Sequence, residues 1–226
     1  MNNGVTAWSY SRYSTYAECP LKFKGKFIDK LKEPESPAMA RGDNIHKATA
    51  AYLVGGMPLP PEITTTFQKK LLAEVKAHED KVVEQQWAFD AKWAPTGWFR
   101  PGMNGGEPWF RSILDCGVLY EDMSLEALDW KSGKRYGSND EQMETQAIAA
   151  YQHFKPATHV TTRLVYFDAK SEEIAEFPKS DLPKLRDKWE KKVAPMFTDT
   201  AFLPRPNDKC RFCLMAKGNG GTCRFG

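Results

Sequence analysis

The sequence predicts an α/β protein, and two observations carry that prediction. Its 226 residues suffice for one sizeable α/β domain with appendages, or for two small domains. Near residue 84 the hydrophobic pattern changes from helical spacing to strand-like alternation, and a later helical stretch separates two sets of strands. A hydrophobic fraction of 41% with 27% charged residues fits a globular fold and excludes bulk disorder. No apolar run approaches membrane-spanning length, and MNNGVTAWSYSRYS lacks the charged start and apolar stretch of a signal peptide. The expectation is a cytoplasmic protein with no membrane partner, in which clustered cysteines hold a metal rather than form disulfides. A net charge of +3 and a pI near 8.5 permit a nucleic-acid partner without arguing for one.

Taken in order, Ser9 to Lys30 reads as one or two short helices. Ser9 or Ser14 can cap a start, Pro20 suits a first turn, and Phe23 and Phe27 share a face. Lys22, Lys24, Lys26, Lys30 and Lys32 make either a solvated helix face or a strip that tracks phosphates. Pro34 and Pro37 mark a loop, and a second helix runs from about Ala38 to Leu53, ending at Gly55-Gly56. Pro58, Pro60 and Pro61 lead into a third, charged helix from about Pro61 to Val83. Glu84 to Trp93, Trp109 to Tyr120 and Leu125 to Lys131 have strand character, with the turn-rich PTGWFRPGMNGGEP between the first two. A helix from about Asn139 to Phe154 follows, then a strand from His159 to Phe167 with Glu172 to Phe177 as its hairpin partner. Leu182 to Met196 is an amphipathic helix, and a cysteine-rich tail closes the chain.

Two strand segments carry chemistry: Ile113-Leu114-Asp115-Cys116-Gly117 and Leu128-Asp129-Trp130-Lys131-Ser132-Gly133. Residues two apart on a strand share a face, so Asp129 and Lys131 point one way while Leu128 and Trp130 pack on the other. An adjacent strand can bring Asp115 beside Asp129, and two such carboxylates either shift their pKa values or hold a divalent cation. An acid two residues before a lysine occurs at six places, the others being Glu74/Lys76, Glu79/Lys81, Asp90/Lys92, Asp168/Lys170 and Glu190/Lys192. Context separates Asp129/Lys131 from these: it ends an apolar strand, enters a Ser-Gly turn and follows a second Asp-bearing apolar strand.

The tail KCRFCLMAKGNGGTCRFG holds three of the five cysteines. Cys210 and Cys213 form a chelating pair on one turn, and Cys223 follows across a glycine-rich loop. Cys19 and Cys116 are the candidates for a fourth ligand. Cys116 adjoins Asp115 and so faces the opposite side of its strand, as a small core residue would. Four thiolates suit either a structural zinc or an iron–sulfur cluster.

The ordered set SYSRYSTYAECP, ARGDNIHKA, WFRSILDCGVL, ALDWKSGK, TQAIAAY and CRFCLMAKGNGGTC resembles the PD-(D/E)XK nuclease superfamily over nearly the whole chain. It is most similar to the RecB-like branch that carries an iron–sulfur cluster, which includes CRISPR-adaptation nucleases, the AddB nuclease domain and related phage exonucleases. The resemblance implies a restriction-endonuclease-like core, a central mixed sheet flanked by helices, with the N- and C-terminal segments joined by a metal cluster. It implies a single nuclease domain over 1–226: a helical part at about 1–83, a catalytic sheet core at 84–178 and a helix with the cysteine-rich tail at 179–226.

Residue by residue, Gly42 and His46 match the G-x-x-x-H motif, whose histidine is a metal ligand. Asp115 matches the second-motif aspartate, and Asp129 and Lys131 match the (D/E)-x-K pair, with the Trp130 backbone carbonyl near the metal. Gln146 matches the glutamine of Q-x-x-x-Y, which positions DNA or catalytic groups. Tyr151 stands five residues on rather than four, about 500° around a helix, so the two do not share a face. Glu84 occupies a region where some relatives carry an acid. Cys19, Cys210, Cys213 and Cys223 fit the branch's order of one cysteine near the N-terminus and three near the C-terminus around a [4Fe–4S] cluster.

The implied activity is Mg²⁺- or Mn²⁺-dependent hydrolysis of DNA by an exonuclease or end-processing nuclease in recombination, repair or replication. Its substrate would be DNA that is single-stranded or has free ends. The chain lacks a helicase motor, so a helicase or recombination partner would supply any unwinding, and oligomers are compatible with the branch. A phage-encoded protein of this kind would work in the host cytoplasm. The alternative is a nuclease-like DNA-binding subunit of a recombination or CRISPR-type assembly with weak or no catalysis.

Overall fold

A six-stranded mixed sheet organises the larger part of the molecule in the computed structural model, which describes residues 3–32, 36–101, 106–133 and 139–225. Pro34 and residues 102–105 of the turn-rich segment lie outside the described residues. In chain order the strands are β1 (Lys81–Phe89), β2 (Pro95–Thr96), β3 (Phe110–Leu119), β4 (Ser124–Lys131), β5 (His159–Tyr166) and β6 (Ser171–Pro178). Their spatial order is β2-β1-β3-β4-β5-β6. β4 and β5 are parallel and every other neighbouring pair is antiparallel. A parallel pair needs a crossover, and helix α5 (Asp140–His153) supplies it.

The helices that precede the sheet are α1 (Tyr10–Glu18), α2 (Pro20–Phe23) with a π-helical turn at Lys24–Ile28, α3 (Pro37–Leu53) and α4 (Thr66–Ala77), and α6 (Leu182–Thr198) follows it. The chain divides into two compact units: Glu35–Arg186, and Met1–Pro34 together with Asp187–Gly226. Thus α3 and α4 belong with the sheet, whereas α1 and α2 belong with the end of the chain. No helix among the described residues is long and apolar enough to cross a membrane.

In the sheet unit, α3 and α4 bury Ile45, Leu53, Leu71, Leu72 and Val75 against Cys116, Val118, Leu128, Trp130 and Val165. Each fully buried leucine here contributes about 1.5–3 kcal/mol over exposure. Cys116 is indeed a core residue, and burial pushes its thiol up to about 12. The expected hairpin of β5 and β6 forms with a continuous register from Tyr166↔Ser171 to His159↔Pro178.

The third helix is shorter than its charged sequence predicts. Thr65 caps it by accepting from the Gln68 amide, and His78 ends it in an extended conformation. β-Branched Val82 and Val83 then pair with Gly117 and Cys116 of β3, so the chain is strand from Lys81 onward. At the other end β1 stops at Phe89 because Asp90 folds the chain back. Its Oδ1 accepts the amides of Lys92 at 2.8 Å and Ala94 at 2.9 Å, which starts the short strand β2.

The second unit is built on aromatic packing. Ser9 caps α1 by accepting from the Arg12 amide, and Pro20 opens α2 at its first position. Trp8 stacks on Trp189 of α6 with centroids 5.5 Å apart, and Tyr13 meets Trp189 edge-on at 5.1 Å. Of the lysine strip, Lys22 pairs with Glu18 and Lys24 with Asp29.

Candidate functional site

The site begins where β3 and β4 part. Their ladder ends at Cys116↔Leu128. Just beyond it the Asp115 carboxylate accepts the Trp130 amide N–H at 2.8 Å. On the other side of β3, the pairing with β1 runs Val83↔Cys116 and then Gln85↔Leu114, skipping Glu84 and Asp115. Glu84 sits there at φ 51°, a left-handed conformation that costs a non-glycine residue about 1–3 kcal/mol. Intact pairing on both sides of Glu84 holds it in place.

His46 reaches the same point from α3. One turn earlier, a Cβ on Gly42 would lie 2.8 Å from Ser132 Oγ, so glycine permits close approach of α3 to the end of β4. His46 Nδ1 lies 3.2 Å from Asp115 Oδ2. Donor atoms of His46, Glu84 and Asp115 all fall within 4.8 Å of one another. A brace outside this group fixes the approach: Arg41 grips Asp168 through both guanidinium nitrogens at 2.8 and 2.7 Å, and Asp168 accepts the Gly133 amide. Asp168, one of the competing acid-x-lysine sites, therefore has a bracing contact of its own.

Asp129 lies alongside, 6% exposed. Lys131 Nζ is 2.5 Å from its Oδ2, as expected for residues two apart on a strand. Gln142 and Gln146 of α5 donate to its Oδ1 at 2.9 and 2.8 Å. Gln142 was not among the residues expected from the sequence. It stands four residues before Gln146, on the same helix face, and that spacing is the signal that would have found it.

Several groups here hold protons more tightly than usual. For His46, burial works to lower the pKa, but the hydrogen bond and charge of Asp115, aided by Asp129, outweigh it and raise it. Glu84 is raised by burial and then by the charge of Asp115. Asp129 is raised by burial, against which Lys131 acts in the opposite direction. Three carboxyls face one imidazole and one ammonium, so the cluster favours protons or an added cation. Hard carboxylate oxygens with a single imidazole match Mg²⁺ or Mn²⁺.

Tyr151 is not brought to this cluster. It is 2% exposed, and its hydroxyl donates to the Phe177 carbonyl of β6 at 2.5 Å. The five-residue spacing turns it toward β6, where it packs. The Trp130 amide N–H donates to Asp115.

In the second unit Cys19, Cys210, Cys213 and Cys223 line one cavity, together with Met215 and Ala216. Three of the four sulfurs accept backbone amides: Cys19 from Arg205 at 3.3 Å, Cys210 from Asn207 at 3.3 Å and Cys213 from Met215 at 3.4 Å. Burial raises the pKa of Cys213, and neighbouring Cys19 and Cys210 act in the same direction. Residues 186 or more apart in sequence thus converge, as the Cys19–Arg205 contact shows.

No curated protein matches the chain. Among solved structures, SSO0001 is similar at 13% identity and a TM-score of 0.49, covering 93% of this chain and 84% of its own. A candidate exonuclease from Eubacterium rectale is similar at 13% identity and a TM-score of 0.48, covering 92% and 88%. Likenesses this distant carry no argument about chemistry. The decisive comparison is with family sequence patterns: residues 7–101 and 109–217 match those of the PD-(D/E)XK nucleases, a span that takes in every acid, the histidine and the lysine described above. With that match over most of its length, the chain belongs to the PD-(D/E)XK nuclease superfamily.

Proposed function

We propose that this nuclease is a Mg²⁺- or Mn²⁺-dependent deoxyribonuclease that degrades or processes DNA ends in recombination, repair or replication. The observation that carries this reading is the convergence of His46, Glu84 and Asp115 within 4.8 Å, beside the Asp129–Lys131 pair. His46, Asp115 and Asp129 would hold the cation, with the Trp130 carbonyl and Glu84 as further oxygen donors. A divalent cation bound there supplies Lewis acidity, polarising the scissile phosphate and lowering the pKa of water.

The protein's own groups do the rest. Trp130 N–H fixes the Asp115 carboxylate, and Gln142 and Gln146 fix that of Asp129, so the donor set is oriented before substrate arrives. Lys131 orients the attacking water and offsets the negative charge that grows on the phosphate. The three carboxyls repel a phosphate until a cation neutralises them, which makes cleavage metal-dependent.

In this reading residues 1–226 serve one nuclease domain of the RecB-like iron–sulfur branch, working in the cytoplasm, or the host's if phage-encoded. A helicase or recombination partner and self-association fit the same role. Cys19, Cys210, Cys213 and Cys223 would hold a [4Fe–4S] cluster that staples the two ends of the chain together. Their shared cavity and the amide bonds to three sulfurs suit thiolates around a cluster. Zinc would use the same donors, and the order of one early and three late cysteines favours the cluster. The nuclease reading is tested by incubating single- and double-stranded DNA, labelled at either end, with Mg²⁺ or Mn²⁺. Label released progressively from one end supports it, and DNA left whole under every condition overturns it.

A further inference from the structure

Away from the carboxylates, on the β1–β3 half of the sheet, lies a patch that the proposed chemistry leaves unused. Phe99 is 79% exposed, the most exposed large apolar side chain among the described residues. Half-buried Trp98 meets it edge-on, with ring centroids 6.4 Å apart at 87°. Beneath both rings sits the Arg111 guanidinium, 5.6 Å from the Trp98 centroid and 5.7 Å from that of Phe99. Among the described residues Arg111 Nε has no hydrogen-bond partner although it is buried. Ile113, two residues along β3 on the same face as Arg111, is 48% exposed and pairs with exposed Gln86. Gln86 in turn lies two residues from Glu84 of the carboxylate cluster. An open strip therefore runs from Phe99 over Arg111 and Ile113 to the metal-binding group.

We propose that Trp98, Phe99 and Arg111 form a platform on which one unpaired nucleobase of the DNA substrate stacks. This rests on the nuclease reading above and narrows its substrate to a strand with free base faces. An exposed aromatic ring offers a base the same π-face contact whatever its identity, and a duplex keeps those faces covered. Arg111 reinforces the rings and places its guanidinium charge beside the adjoining phosphate, a charge that an uncharged apolar partner would not use. Arg111 precedes Asp115 by four residues on β3, about 13 Å along the strand. Roughly two nucleotides of an extended strand span that distance, so the stacked base lies about two nucleotides from the scissile phosphate.

Fluorescence anisotropy in EDTA tests the platform without cleavage, using an oligothymidylate of roughly 12 nucleotides, within the site sizes known for single-strand binders. Phe99→Ala is expected to weaken binding about tenfold, or about 1.4 kcal/mol, while Phe99→Trp restores it and affinity for a duplex of equal length is unchanged. Scanning one abasic residue along the oligonucleotide should reveal a position whose loss matches that of Phe99→Ala and does not add to it. Absent single-strand binding, unchanged affinity in Phe99→Ala, or fully additive losses overturn the platform. So does a change in self-association with DNA affinity intact, which would mark the patch as a protein contact. A protein that binds as expected yet never cuts DNA overturns the nuclease reading and leaves the platform standing.

Discussion

Replacing Lys131 by methionine removes the ammonium while keeping most of the side chain's bulk. In the folded protein that ammonium lies 2.5 Å from Oδ2 of Asp129, a residue only 6% exposed. A charge-assisted hydrogen bond of this kind contributes about 1.5–3 kcal/mol, and breaking a fully buried pair costs about 3–5 kcal/mol. Lys131 is partly exposed and two glutamine amides stay on Oδ1, so the expected loss at pH 8 is about 2 kcal/mol. The loss must depend on pH in a defined direction. Burial holds the Asp129 pKa above its ordinary value, and Lys131 lowers it, so the variant raises it further. A carboxyl with a raised folded-state pKa contributes stability below its unfolded pKa and loses it as pH rises through the folded value. Both proteins begin losing that stability near the unfolded pKa they share, but the variant goes on losing it to a higher pH and loses more in total, so the gap between them is small in acid and widens toward alkaline pH. Urea unfolding of both proteins in EDTA at pH 5 and pH 8 reads this directly. A loss equal at both pH values, or larger in acid, would show that Lys131 does not stabilise the Asp129 charge.

The same tightly held protons compete with metal. His46, Glu84 and Asp129 all have raised pKa values, so Mn²⁺ affinity measured by calorimetry should fall as pH drops, by up to roughly tenfold per unit for each proton that the metal displaces. A pH-independent affinity would contradict metal binding at these groups. Gly42→Ala gains about 1 kcal/mol of helix propensity but must displace Ser132 Oγ, so adding Ser132→Ala should raise the melting temperature above that of the single variant. If the second change adds nothing, the close approach of α3 to β4 is not what calls for glycine. If Cys19, Cys210, Cys213 and Cys223 hold an iron–sulfur cluster, protein prepared without oxygen should be brown with absorption near ~400 nm, and Cys19→Ser should lose both colour and iron. Colourless wild-type protein with stoichiometric zinc would decide for the other metal.

Much of the candidate site was legible because strand periodicity is short. Alternation alone placed Asp129 beside Lys131 and turned Leu128, Trp130 and Cys116 toward the core. Glu84 was legible only by position: no pattern announces a left-handed residue that interrupts a ladder, because that conformation depends on pairing with a strand about thirty residues away. The third helix ends earlier than its charged sequence predicts, since that charged run hides the boundary and β-branched Val82 and Val83 go instead to the strand that pairs with β3. Gln142 was visible in principle through its spacing to Gln146, but a glutamine on a polar helix face carries no signal until an acid is known to lie opposite. The Arg41–Asp168 brace joins side chains 127 residues apart and leaves no local trace.

The most direct test of the account is the single-turnover rate at which Lys131→Ala cleaves DNA with saturating Mg²⁺ or Mn²⁺, on protein shown to be folded and to bind DNA. If the Asp129–Lys131 pair and the neighbouring His46, Glu84 and Asp115 carry the reaction, the rate falls about 100- to 1000-fold while DNA affinity changes little. Cleavage at the wild-type rate would contradict it.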